Sequence, residues 1–216
     1  LAEAEVNQQD TVRLTLGIHP EGFTWVLEPG GRFETPEAVL VYSDAGIGPM
    51  TRCFHDLFRN HLIRSKYLHR KRPILINNWE ATYFDFDDDK LVAIAREAKK
   101  LGIEMLVMDD GWFGKRDGDE SGLGDWFVNE RKLRGGLKSL VERVNAEGMQ
   151  FGIWFEPEMV SPDSELYRAH PDWALTDSFP NVLGRHQLLL DLTKPEVRDY
   201  IVERVGGILD SAEITY

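Results

Sequence analysis

The sequence predicts an α/β fold: the first half of a (β/α)8 TIM barrel, preceded by the end of an N-terminal β-sandwich. Three observations predict it. From residue 74 onward, short apolar strands alternate strictly with amphipathic helices, a pattern that requires a parallel sheet with helical crossovers. Polar and aromatic residues gather just after each strand, where a barrel carries its functional rim. No glycine-rich phosphate turn follows the first of these strands, so a doubly wound dinucleotide fold loses support.

Residues 1–48 read as the C-terminal part of a β-sandwich. Thr11 to Leu16 alternates with period two, and Phe23 to Leu27 and Val39 to Tyr42 are further strand candidates. Pro20, Pro29-Gly30-Gly31 and Pro36 punctuate them. Residues 49–73 form a linker. Met50, Phe54, Leu57, Phe58 and Leu62 fall at helical spacing there, and Cys53 reads as a core residue of that helix.

Residues 74–216 carry four βα units and the start of a fifth strand. Ile74 to Trp79 is the first strand. A helix from about Asp87 to Lys100 follows, with Leu91, Ile94, Ala95 and Ala98 on its apolar face. Asp87 is placed to cap it and Gly102 to stop it. The second strand, Glu104 to Met108, ends in Asp109-Asp110-Gly111. Leu137, Leu140, Val141 and Val144 define the next helix, which stops near Gly148. Gln150 to Phe155 is the third strand, ending in Glu156-Pro157-Glu158. After a short helix at 165–169, Leu188 to Leu190 reads as the fourth strand, ending at Asp191. Pro195 suits the first position of the last helix, whose core face is Val197, Ile201, Val205 and Ile208. Ile214 then opens strand five.

Composition narrows the partners. The 216 residues are 42% hydrophobic and 11% aromatic, enough to build a core. Lys plus Arg number 25 and Asp plus Glu 37, a net charge of −12, which disfavours nucleic acid and anionic membranes as partners. No apolar run approaches the roughly 20 residues of a membrane helix. A single cysteine excludes an internal disulfide and fits a reducing compartment. No signal peptide is visible, so a cytoplasmic location is expected. The chain stops inside what reads as an opening strand, and an interior piece of a longer protein is therefore expected.

The rim residues carry the chemistry. Asp109 and Asp110 are adjacent after a buried strand, and both can face one ligand only if the chain turns, which Gly111 permits. Two ionised carboxylates accept hydrogen bonds from neighbouring hydroxyls of a sugar, although an Asp-Gly turn explains such a pair equally well. Trp79, Trp112 and Trp154 each follow a strand, and an indole face suits the C–H face of a sugar ring. Core packing explains any one of them; three beside carboxylates favour a sugar site. Arg185 can brace a carboxylate or bind a hydroxyl, and His186 beside it reads as a loop residue. Glu156 and Glu158 flank Pro157, and Asp87-Asp88-Asp89 is accounted for by the helix dipole.

The rim segments ILINNWEATYFDF, LVMDDGWFGKRDGD, LGDWFVNERKLRGGLKSLVERV, FGIWFEPEMVSPDSELYRAHPDW and RHQLLLDLTKPEVRDYI resemble bacterial α-galactosidases of glycoside hydrolase family 36. The likeness is dense over residues 70–216, and the leading part is similar to the end of that family's β-supersandwich domain. It implies hydrolysis of terminal α-linked galactose from melibiose- or raffinose-type substrates by a retaining double displacement, without metal or organic cofactor, in a homo-oligomeric parent. It implies that Asp109 and Asp110 hold galactose hydroxyls, that Trp79 and Trp154 wall the subsite, and that Arg185 lies near the galactose and the nucleophile. The family's nucleophile, in a Lys-Trp-Asp motif, and its acid/base aspartate match no residue here; both are expected beyond Tyr216. The 216 residues alone are therefore expected to be inactive. In the parent, Asp110→Asn is expected to lower kcat/KM far more than folding stability.

Two other readings stand beside this one. Asp110, Glu156 and Asp191 at successive strand ends match the layout of a magnesium-dependent barrel. Alternatively the chain is a non-catalytic galactose-binding fragment.

Overall fold

The computed structural model describes residues 1–64, 67–175 and 184–216. It divides into two compact units, residues 1–71 and 72–216.

In the first unit a hairpin pairs β1 (Ala2–Val6) with β2 (Val12–Leu16), antiparallel and in register from Ala2–Leu16 to Val6–Val12. Asn7 builds the turn: its side-chain oxygen accepts from the backbone N–H groups of Gln9 and Thr11. Asp10, at φ 57°, takes the left-handed position. The other two expected strands do not form. Phe23 to Leu27 and Val39 to Tyr42 are irregular, because among the described residues no strand pairs with them. Trp25 instead packs its ring against Phe33, 4.7 Å between centroids. A helix forms as α1 (Ile47–Leu57), continued by a π-helical turn over Phe58–Leu62. Cys53 is exposed rather than in a core, since no described residue of this unit is fully buried.

The second unit is α/β. Its centre is a parallel sheet of β3 (Leu75–Asn77), β4 (Met105–Met108) and β5 (Gln150–Ile153), in that order. A four-residue helix, α2 (Trp79–Thr82), follows β3. The crossovers are α3 (Asp88–Lys100) and α4 (Gly136–Ala146). Asp87 caps α3 by accepting from the Lys90 N–H at 2.8 Å, and Gly102, at φ 83°, ends it. The central strand β4 is buried at every residue. Leu91, Ala95 and Ala98 of α3 and Leu137, Leu140, Val141 and Val144 of α4 share one core with Leu106, Met108 and Phe151. Arg96 and Glu147, and Arg143 with Asp88 and Asp89, tie the two crossovers at their outer faces.

Beyond β5 the structure departs from the expected alternation. Pro157, which has no N–H, follows the sheet's last strand, and the chain turns into β6 (Met159–Val160). After α5 (Glu165–Ala169), Leu188 to Leu190 does not enter the parallel sheet. Leu188–Leu189 is β7, antiparallel to β6, and Leu188 and Leu190 bury into a second small core with Leu166, Ala174 and Val197. The place beside β5 is taken by the segment expected to open strand five. The Thr215 N–H donates to Phe151 at 3.0 Å, and the Ile153 N–H donates to Tyr216 at 2.8 Å. Gly152 makes room for this approach: a Cβ there would come within 3.0 Å of the Tyr216 ring. The last helix, α6 (Pro195–Asp210), has Pro195 at its start, buries Val197 fully and leaves Ile201, Val205 and Ile208 half-buried.

Candidate active site

A cleft of about 400 Å³ lies at the C-terminal ends of the parallel strands. It is lined by Trp79, Asp109, Asp110, Trp154, Phe155, Glu156, Glu158 and Arg185. All five residues that the sequence assigned to substrate are therefore together.

Each is held by its strand end. Asn77, the last residue of β3, accepts from the Trp79 N–H and donates to the Asp109 carboxylate. Asn78 is fully buried; its side-chain oxygen accepts from the Asp109 N–H and its amide donates to Thr82. One asparagine pair thus fixes an aromatic wall and a carboxylate at once. The turn after Asp110 is made by Gly111 at φ 98°, where a Cβ would strike the Phe84 ring at 2.9 Å. The Asp109 carboxylate also accepts from the Asp110 N–H at 2.8 Å.

Asp110 is buried and its two oxygens take a fork from the guanidinium of Arg116, at 2.9 and 2.8 Å. Neither Arg116 nor the asparagine pair was assigned a role from sequence. Asn77-Asn78 falls in the rim segment ILINNWEATYFDF, near the end of the first expected strand, which was a usable signal. Arg116 lies in a loop without periodicity, and nothing there marked it.

Trp79 and Trp154 are half-buried and present apolar faces to the cleft. Trp79 is braced edge-on by Tyr83 and Phe84. Trp112 is not on the rim. It is fully buried, its indole N–H donating to the Trp154 carbonyl at 2.9 Å, because the chain beyond Gly111 turns back into the core. Asp191 does not line the cleft either. Its carboxylate is held below the ordinary range by bonds from the Thr193 hydroxyl and N–H. The magnesium layout fails with it: among the described residues no three His, Cys, Asp or Glu side chains gather as a metal site.

Glu156 meets Arg185 across the cleft at 3.1 Å, and Arg185 also faces Asp119 at 3.8 Å. Arg185 has a left-handed backbone, φ 53°, and its side chain is about half exposed. His186 faces Glu120. Burial pushes the Glu156 carboxyl above its ordinary value; Arg185 opposes this and Glu158 adds to it. With a raised folded-state pKa, Glu156 adds stability below the unfolded carboxylate range, and that stability is lost as pH rises through the raised value. Arg185→Ala is expected to move the Glu156 titration further up. Carboxyl-carbon NMR of Glu156 measures it, and a downward movement would contradict the pairing.

Comparison with known proteins takes in the whole second unit and reaches into the first. The family model described as Melibiase matches residues 32–216. Alpha-galactosidase AgaA of Geobacillus stearothermophilus is 56% identical over 217 residues, covering 100% of this chain and 30% of that protein. Its crystal structure, a GH36 α-galactosidase, superposes with a TM-score of 0.90 at 56% identity, over 100% of this chain and 30% of that one. A variant of AgaA in complex with raffinose gives a TM-score of 0.90 at 55% identity with the same coverage. The chain spans about 30% of the length of these relatives. With the family model covering most of the sequence, the chain belongs to the melibiase (GH36) family.

Proposed function

We propose that this chain supplies the galactose-binding half of a retaining α-galactosidase. The observation that carries the reading is the convergence of Trp79, Asp109, Asp110, Trp154 and Arg185 on one cleft. Carboxylates there accept from sugar hydroxyls, and two indole faces cover the apolar side of the ring. Arg185, paired with Glu156, is placed to exchange that partner for a substrate hydroxyl. The parallel order β3-β4-β5, with each strand beside its sequence neighbour, supports a segment of a (β/α)8 barrel. Galactosides of the raffinose type, as in the relative's complex, are the proposed substrates.

The bond chemistry belongs to a nucleophile and an acid/base carboxylate beyond Tyr216. A retaining mechanism sets these about 5 to 5.5 Å apart, one attacking carbon and the other protonating the leaving oxygen. Interactions that strengthen as the ring flattens raise kcat, and the fixed carboxylates at the cleft are suited to that. The intact enzyme is expected to release galactose from an aryl α-galactoside with retention, and the 216 residues alone to give no turnover. Inversion by the intact enzyme, or burst kinetics from this chain alone, would overturn the assignment. The binding-only alternative is tested on the intact protein: calorimetric binding of galactose with no release of galactose from an aryl α-galactoside would support it.

A further inference from the structure

Arg116 is fully buried in the loop that follows β4, and does not line the cleft. A buried guanidinium is costly unless its donors are used. Here they are used on two sides. Nε and one terminal nitrogen fork onto Asp110, and the other terminal nitrogen donates to the carbonyls of Asp119 and Ser121, both at 2.9 Å. The loop also closes on the Arg116 backbone: Gly122 lies so near that a Cβ would sit 3.2 Å from the backbone nitrogen of Arg116. Lys132 donates to the Arg116 carbonyl and to that of Phe84. The guanidinium is anchored on one side and grips a cleft carboxylate with the other.

We propose that Arg116 is the positioning residue for substrate binding, acting through Asp110. This rests on the reading of Asp110 as a galactose contact. A carboxylate offers about four lone-pair sites, and the fork occupies two of them. The remaining sites are then fixed toward the cleft, with the side chain of Asp110 only 4% exposed. A carboxylate free to rotate loses that aim. Locking it before the sugar arrives removes an ordering cost from binding.

The test uses the intact enzyme. Arg116→Lys keeps the charge and loses the planar fork, and is expected to raise the inhibition constant of free galactose by about tenfold or more, with KM for an aryl α-galactoside rising alongside. Both constants are independent of how much of a preparation is folded. A fall in kcat with both unchanged means Arg116 serves the loop alone, and overturns the proposal. Arg116→Gln is measured in the same way. If neither variant accumulates as folded protein while Asp110→Asn does, Arg116 is a folding residue and the proposal falls.

Asp110→Asn separates this inference from the reading beneath it. If Asp110→Asn leaves galactose inhibition unchanged, the reading of Asp110 fails. If Asp110→Asn weakens inhibition and the Arg116 variants do not, the reading stands and the proposal fails. In the Asp110→Asn background, Arg116→Lys is expected to add less than about twofold; a full further tenfold shows independent action.

Discussion

Replacing Asp110 by Asn in the intact enzyme is expected to cut kcat/KM on an aryl α-galactoside by about 100-fold, the worth of a hydrogen bond to a charged acceptor. The sequence alone set this loss far above any loss of folding stability. The buried fork from Arg116 changes that expectation. Removing one charge of a buried pair strands the other, at about 3 to 5 kcal/mol. Asn retains one acceptor oxygen, but turns an amide donor toward the guanidinium. Both effects are therefore expected together: a loss of specific activity and a lowered denaturant midpoint. They are separable because KM and galactose inhibition do not depend on the folded fraction. Near-normal kcat/KM in folded Asp110→Asn enzyme would remove Asp110 from the site.

Trp112→Ala is expected to destabilise the second unit by about 3 to 5 kcal/mol, the usual cost of emptying a fully buried aromatic site. The ring sits among Phe113, Trp126 and Phe155, with centroids 5.2, 6.2 and 5.4 Å away. Its loss also leaves the Trp154 carbonyl without the indole donor. For a unit of this size the melting temperature is expected to fall on the order of 10 °C. Trp112→Phe keeps most of the packing and loses only that hydrogen bond, so a drop of about 1 kcal/mol is expected. Calorimetric or denaturant unfolding of both variants checks the pair. Equal losses would mean that the hydrogen bond, not the packing, dominates at Trp112.

Local signals in the sequence were reliable where the physics is local. The Asp87 cap, the Gly102 stop and the four-residue apolar face of α4 depend on neighbours within a turn or two, and each stands where spacing placed it. The residues at the ends of β3, β4 and β5 could be collected because parallel strands present their C-terminal ends on one side. Partner choice was not legible. Leu188 to Leu190 is apolar enough for a buried parallel strand, but the run says nothing about which edge it meets, and it met β6. Phe23 to Leu27 and Val39 to Tyr42 carry the strand pattern without a pairing strand among the described residues. Trp112 and Trp154 follow strands in the same way, yet only Trp154 reaches the cleft; the turn at Gly111 decides that. Arg116 was invisible because its partners Asp110, Asp119 and Ser121, though within six residues, are brought to it by an irregular loop, and no sequence period encodes such a fold.

The indole cluster gives the site a means of observation. Trp126 lies 6.2 Å from Trp112 and 6.5 Å from Trp154, and Trp154 alone of the three borders the cleft. Transitions in rings this close are coupled, so their ultraviolet dichroism and emission belong to the group rather than to one ring. A ligand bound against Trp154 is expected to perturb the shared signal, including the part contributed by Trp112 and Trp126. Occupancy can thus be followed optically with no label attached.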